Sequence, residues 1–152
     1  MMSLLLLLNT FVPIQGNMTA YAANAPLGVT DHWAQKYLEN LFMYGIMRGD
    51  QDGNMNPDIP ITRAEFVSMV NRAFGYREYQ KTGKTFSDVK PTAWYADDIA
   101  IAQQQGYFAG ITPAKADPGG YLTREQAVAL LCRNIKLEEK QGEILGFTDS
   151  RQ

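Results

Sequence analysis

The chain has 152 residues, 45% hydrophobic and 20% charged, which is room for one ordinary domain or two small repeats and too apolar for a disordered segment. Fourteen basic and sixteen acidic side chains give a formal charge of −2, which argues against the basic face that nucleic-acid binding needs. One cysteine, Cys132, rules out an internal disulfide, and with one histidine, His32, the chain cannot assemble a Cys/His zinc site by itself.

Residues 1–22 read as an export signal. Leu4 to Leu8 form an unbroken leucine run, extended by Phe11, Val12 and Ile14 and too short to span a bilayer as a helix. A polar segment, Gln15 to Thr19, leads to Ala20-Tyr21-Ala22, a small-x-small cleavage pattern, so the mature chain is expected to start near Ala23. The positive start of such a signal is missing, because no Lys or Arg precedes Lys36. The competing reading is a buried N-terminal helix, which Pro13 and the polar break disfavour.

An internal repeat organises the remainder. Trp33 and Trp94 stand 61 positions apart, as do Gly45 and Gly106, Gly49 and Gly110, Pro57 and Pro118, and Arg72 and Arg133. The pair Thr62-Arg63 returns as Thr123-Arg124, and Phe86-Ser87-Asp88 returns as Phe147-Thr148-Asp149. This divides the chain into a first repeat over 23–75, a linker over 76–84, a second repeat over 85–137, a linker over 138–146 and the start of a truncated third repeat over 147–152.

Each repeat predicts helix, loop, helix. In the first, Asp31 is the expected N-cap, and Trp33, Tyr37, Leu41 and Tyr44 follow helical spacing, flanked by Ala34, Leu38 and Phe42. Gly45 is placed to close that helix. A polar loop runs from Arg48 to Pro60. A second helix opens at Thr62, points Phe66, Val67, Met69, Val70 and Ala73 inward and ends at Gly75. In the second repeat Trp94, Tyr95, Ile99 and Ala102 lead to Gly106, and Thr123 opens a helix carrying Val128, Leu130, Leu131 and Ile135. No strand-like alternation occurs, so the expected class is all-α, as two helical hairpins.

Thr62-Arg63-Ala64-Glu65 has the form of a capping box, in which the Thr62 hydroxyl accepts from the Glu65 N–H and the Glu65 carboxylate returns to the Thr62 N–H. Ile61 and Phe66 form the accompanying staple. The second copy is Thr123-Arg124-Glu125-Gln126, with Leu122 before it. Capping accounts for Thr, Glu and Gln but not for arginine. A cation at the partly positive end of a helix is mildly unfavourable, and both repeats place one there. An arginine beside free helix N–H groups makes an anion site.

The strings Trp33-Ala34, Gly45-Ile46-Met47-Arg48-Gly49, Asp52-Gly53-Asn54-Met55-Asn56-Pro57 and Ile61-Thr62-Arg63-Ala64-Glu65-Phe66 together closely resemble an S-layer homology repeat. Phe86-Ser87-Asp88-Val89 and Leu122-Thr123-Arg124-Glu125-Gln126 resemble the opening and second-helix motif of another. The resemblance implies a trio of repeats in a pseudo-threefold arrangement whose grooves bind secondary cell-wall polysaccharide, often pyruvylated, and so fix a secreted protein noncovalently to a Gram-positive-type wall. It implies that Arg63 and Arg124, at the helix starts opened by Thr62 and Thr123, face the anionic group of the polymer. Gly49 and Gly110 would let backbone approach the sugar, and Asp52 belongs to the same loop. Arg63 is expected to contribute more than Arg124, because the second repeat has Thr112-Pro113-Ala114 where the first has Gln51-Asp52-Gly53. The first repeat also departs, with Ala25 and Leu27 in the places of Phe86 and Asp88. With the third repeat cut short, exposed apolar surface and self-association are expected where it would dock.

Trp33 and Trp94 are expected in the core, with stacking on sugar rings as the alternative. Cys132, among Leu130, Leu131 and Ile135, reads as a small buried apolar residue. His32 reads as a surface residue with no Ser or Cys partner for a nucleophilic triad, and Asp97 and Asp98, being adjacent, do not share a helix face. No catalytic constellation and no cofactor are expected, although an enzyme domain could follow in a longer protein. The main rival is a calcium loop of dockerin or EF-hand type at Asp50-Gln51-Asp52-Gly53-Asn54. Aligning Gly53 with the invariant loop glycine puts Arg48 and Ile59 where the first and last acidic ligands belong, which counts against it.

Overall fold

The computed structural model describes residues 28–78 and 86–137. The expected export signal, the second linker, the start of a third repeat and the Ala25 and Leu27 positions lie outside the described residues. Within them are four helices: α1 Gln35–Met43, α2 Arg63–Phe74, α3 Ala96–Gln104 and α4 Arg124–Asn134. Extended pairing among the described residues is confined to the single bridges Thr62–Tyr121 and Thr112–Lys115, so the class is all-α. The chain divides into two compact units between Ile59 and Pro60, inside the first repeat of the sequence.

The first unit carries α1. Its N-cap is Ala34, not Asp31. Asp31 stands further out, in the left-handed region at φ 63°, and its own N–H donates to Gln35 Oε1 at 3.0 Å. His32 Nδ1 takes the Ala34 N–H instead. The helix ends as expected on Gly45. With Gly45 at φ 66°, its N–H reaches the Phe42 carbonyl and the Ile46 N–H reaches that of Leu41, a Schellman closure. The inward face is Ala34, Leu38, Leu41 and Phe42, while Tyr37 and Tyr44 point to solvent. Asp50 organises the following loop. Its Oδ1 accepts the N–H groups of Asp52 and Asn54, and its Oδ2 accepts the Asn56 side-chain amide at 2.9 Å. Those bonds, led by the one from Asn54, hold its carboxyl below the ordinary range.

The second unit is built around α2 packed on α3, so the helices that pair come from successive repeats rather than from one hairpin. Val67 and Val70 of α2 meet Ile99 and Ala102 of α3 over Phe86, Tyr107, Phe108, Ala116 and Leu130. A buried polar network crosses this contact. Ser68 Oγ donates to Asp98 Oδ2 at 2.6 Å, Asn71 Nδ2 donates to Asp98 Oδ1 and to its carbonyl, and the Tyr107 hydroxyl donates to Asn71 Oδ1 at 2.7 Å. Burial, reinforced by Asp98, pushes the Tyr107 phenol well above its usual value, so it remains a donor.

The capping boxes of α2 and α4 are both formed. Only Leu130 of α4 is buried. Val128, Leu131 and Ile135 are exposed and Cys132 is half-buried, against the inward face expected for the first three and the buried site expected for Cys132. Lys136 takes the left-handed position, φ 54°, that Gly75 takes after α2, a conformation a lysine adopts less readily.

Candidate functional site

The two Thr-Arg motifs share their caps and differ in everything around the arginine. Thr62 Oγ1 accepts from the Glu65 N–H and Thr62 N–H donates to Glu65 Oε2; Thr123 and Gln126 repeat the exchange. At α2, however, the Arg63 N–H donates to the Gly120 carbonyl at 2.9 Å and the Ala64 N–H to that of Pro118 at 3.0 Å. With Glu65 N–H held by Thr62, the first turn of α2 keeps no free donor for an anion. The guanidinium is turned inward, only 6% exposed: Nε donates to the Ala116 carbonyl at 3.0 Å and the group lies over the Phe108 ring. Burial lowers its pKa while the nearby Asp117 carboxylate acts to raise it. The open anion site expected at Arg63 is therefore absent, and the arginine is a buried tie between α2 and the 110–120 loop.

Arg124 occupies the same place on α4 and is exposed. Among the described residues no carbonyl accepts from the Arg124 or Glu125 N–H. The open helix start with a cation beside it, expected at both sites, is found at the second.

The loop that receives Arg63 is held by Asp88 of the repeated Phe86-Ser87-Asp88 motif. Asp88 Oδ1 accepts the Ala116 N–H and Oδ2 accepts the Asp117 N–H, at 2.9 and 2.8 Å. Desolvation opposes its charge, but these bonds and Lys115 outweigh it and hold the carboxyl below its ordinary range. The recurrence of Phe-Ser/Thr-Asp after 61 positions was the available signal.

Gly49 and Gly110 are required by the loops themselves. Both have left-handed φ, 73° and 78°. A Cβ on Gly49 would strike the Gly53–Asn54 backbone, and one on Gly110 would strike the Lys115 carbonyl and the Phe86 ring. Approach to a sugar is not needed to explain either. Asp52 is exposed at the tip of its loop.

Trp33 and Trp94 are not in the core. Trp33 is 81% exposed and Trp94 63%. Each stands just before its helix begins, where the chain turns the following residues inward: Ala34 is buried in the first repeat, and Tyr95 packs at the core edge in the second. Among the described residues, the aromatic neighbour of Trp33 is the His32 ring and that of Trp94 is Tyr95.

The S-layer homology domain matches residues 28–67 and 85–128. The chain is 34% identical over 119 residues to the surface-layer 125 kDa protein of Lysinibacillus sphaericus, covering 78% of this chain and 10% of that protein. It is 33% identical over 121 residues to an amylopullulanase of Thermoanaerobacterium thermosulfurigenes, covering 79% of this chain and 6% of the enzyme. It is 36% identical over 72 residues to a cellulosome-anchoring protein of Acetivibrio thermocellus, covering 47% of this chain and 16% of that protein. The chain thus spans a small fraction of each relative's length. With the two matched segments falling one in each of its internal repeats, it belongs to the S-layer homology domain family.

Proposed function

We propose that the chain is a non-catalytic anchoring module, secreted and held at a Gram-positive-type cell wall by noncovalent binding of an anionic secondary polysaccharide. Relatives as different as a surface-layer protein, an amylopullulanase and a cellulosome-anchoring protein share this segment over a small part of their length. That is the distribution of a transferable attachment unit rather than of a catalytic domain.

The observation that carries the polysaccharide reading is the pair of exposed tryptophans. Leaving two indoles in water at the same register of successive repeats forgoes burial that a folded chain normally takes, and a flat apolar face with an N–H at its edge suits a sugar ring. Arg124, at an open helix start, supplies the cation for an acidic substituent. Arg63 then serves the site only by fixing the loop.

The test is a pull-down on purified wall sacculi, with and without removal of the secondary polymer. Trp33→Ala with Trp94→Ala should weaken binding at least about tenfold, equivalent to 1.4 kcal/mol. Arg124→Ala should cost about 1.5–3 kcal/mol. Full binding by the double tryptophan variant rejects stacking, and undiminished binding to stripped walls rejects the polysaccharide as ligand.

A further inference from the structure

The backbone on either side of Trp33 is fixed through the residue before it. The His32 N–H donates to the Val29 carbonyl at 3.1 Å, and the His32 carbonyl accepts the Gln35 N–H at 2.9 Å. The His32 ring closes the same turn, with Nδ1 accepting the Ala34 N–H at 3.1 Å. A ring nitrogen that accepts from an N–H carries no proton, so the neutral imidazole holds its proton on Nε2. That nitrogen donates to Asp58 Oδ1 at 3.3 Å, across to the 54–59 segment. The imidazole centre also lies 5.5 Å from that of the Trp33 indole, tilted by 39°. The indole is largely exposed, so among the described residues this turn sets the direction in which it faces.

The second repeat supplies the comparison. Ala93 stands 61 positions after His32, and its turn has the same backbone bonds, from the Ala93 N–H to the Lys90 carbonyl and from the Ala96 N–H to that of Ala93. The turn therefore forms without a ring. What His32 adds is a pin on the Ala34 N–H and a link to Asp58. Trp94 instead meets the edge of the Tyr95 ring at 5.3 Å, and Tyr95 packs against the core. Alanine cannot titrate. Histidine, of which the chain has one, is the side chain that changes charge between about pH 5 and pH 8.

We propose that neutral His32 is the positioning residue for Trp33, and that protonating it releases Trp33 and weakens the first repeat's hold on its glycan while leaving Trp94 unaffected. The proposal rests on the stacking reading given above for the two tryptophans. An imidazolium donates from both nitrogens and accepts from neither, so the N–H of buried Ala34 loses its acceptor. A cation there also faces the partly positive start of α1. Among the described residues, the titratable groups that share the pocket around His32 are Asp31, on its own turn, and Asp58, on the 54–59 segment; Lys36 and Glu39 follow along α1. Both aspartates attract an imidazolium, but both are exposed, Asp58 with 86% of its side chain in water, and solvent screens that attraction.

Amide hydrogen exchange in the full chain tests the pin with no polymer present. Between about pH 8 and about pH 5 the protection of the Ala34 N–H, corrected for its intrinsic rate, should fall at least about tenfold, the scale of one lost hydrogen bond. His32→Asn should keep the protection at both pH values, because an Asn side chain accepts from the N–H two residues on and does not titrate. His32→Ala should lack it at both. Binding to wall sacculi in a Trp94→Ala background then reads the first repeat's tryptophan. There the binding of the chain with His32, relative to His32→Asn, should fall at least about threefold over the same interval. In a Trp33→Ala background that ratio should stay constant. Protection of Ala34 that ignores pH, or a pH response that His32→Asn retains, overturns the proposal. So does a binding ratio that stays flat while protection falls. These outcomes leave the stacking reading standing. Undiminished binding by Trp33→Ala at about pH 8 overturns the stacking reading, and the proposal with it.

Discussion

Arg63→Ala should destabilise the protein strongly, although arginine at a helix start reads in sequence as a ligand contact. The substitution removes a charge-assisted bond from Nε to the Ala116 carbonyl, worth about 1.5–3 kcal/mol. It also removes the contact with the Phe108 ring, worth about 0.5–2 kcal/mol. Releasing the guanidinium from its buried site returns part of this, which leaves a net loss of about 2–4 kcal/mol. In a unit of this size about 1 kcal/mol moves the midpoint by roughly 4–8 °C, so the thermal midpoint should fall by about 8–30 °C. Arg63→Lys should recover part of the loss, since Lys offers a charge but no fixed planar donor. Arg124→Ala, at an exposed position in dilute monomeric protein, should change stability by less than about 0.5 kcal/mol. Urea unfolding followed by circular dichroism measures all three. Equal, small losses for Arg63→Ala and Arg124→Ala would refute the structural role of Arg63, as would loss of wall binding by Arg63→Ala with an unchanged unfolding midpoint.

Tyr107→Phe should cost about 1–2 kcal/mol, because it leaves Asn71 Oδ1 buried without its donor; denaturant unfolding reads this directly. The folded Asp88 carboxyl is held below its unfolded value, so its stabilisation is present above about pH 4 and lost as pH falls through the folded pKa. Asp88→Asn should therefore lower the unfolding midpoint at neutral pH and flatten the fall in midpoint seen on acidification. Trp33 and Trp94 should both be open to a soluble quencher in the free protein and shielded when wall polymer is added, while their replacement by Ala should leave the unfolding midpoint nearly unchanged. Gly110→Ala should destabilise by more than about 1 kcal/mol, combining a left-handed backbone with contact against the Lys115 carbonyl.

Local features were legible in the sequence. The repeat length, the all-α class, the capping boxes at Thr62 and Thr123 and the closing glycines Gly45 and Gly75 all follow from short-range spacing and backbone chemistry, and the chain forms each of them. Asp31 does not serve as the cap its position suggests, because His32 Nδ1 takes the Ala34 N–H. What the sequence could not determine is which copy of a repeated motif meets which surface. Arg63 and Arg124 sit in nearly the same local sequence, yet the first is buried under the 110–120 loop and the second is exposed. The same holds for Val67 against Val128, and for the two tryptophans, whose size alone suggested a core. Helical spacing says that a stripe is apolar but not what lies opposite it. That depends on contacts between residues tens of positions apart, here Arg63 with Ala116 and Asn71 with Asp98, and only the folded chain brings them together.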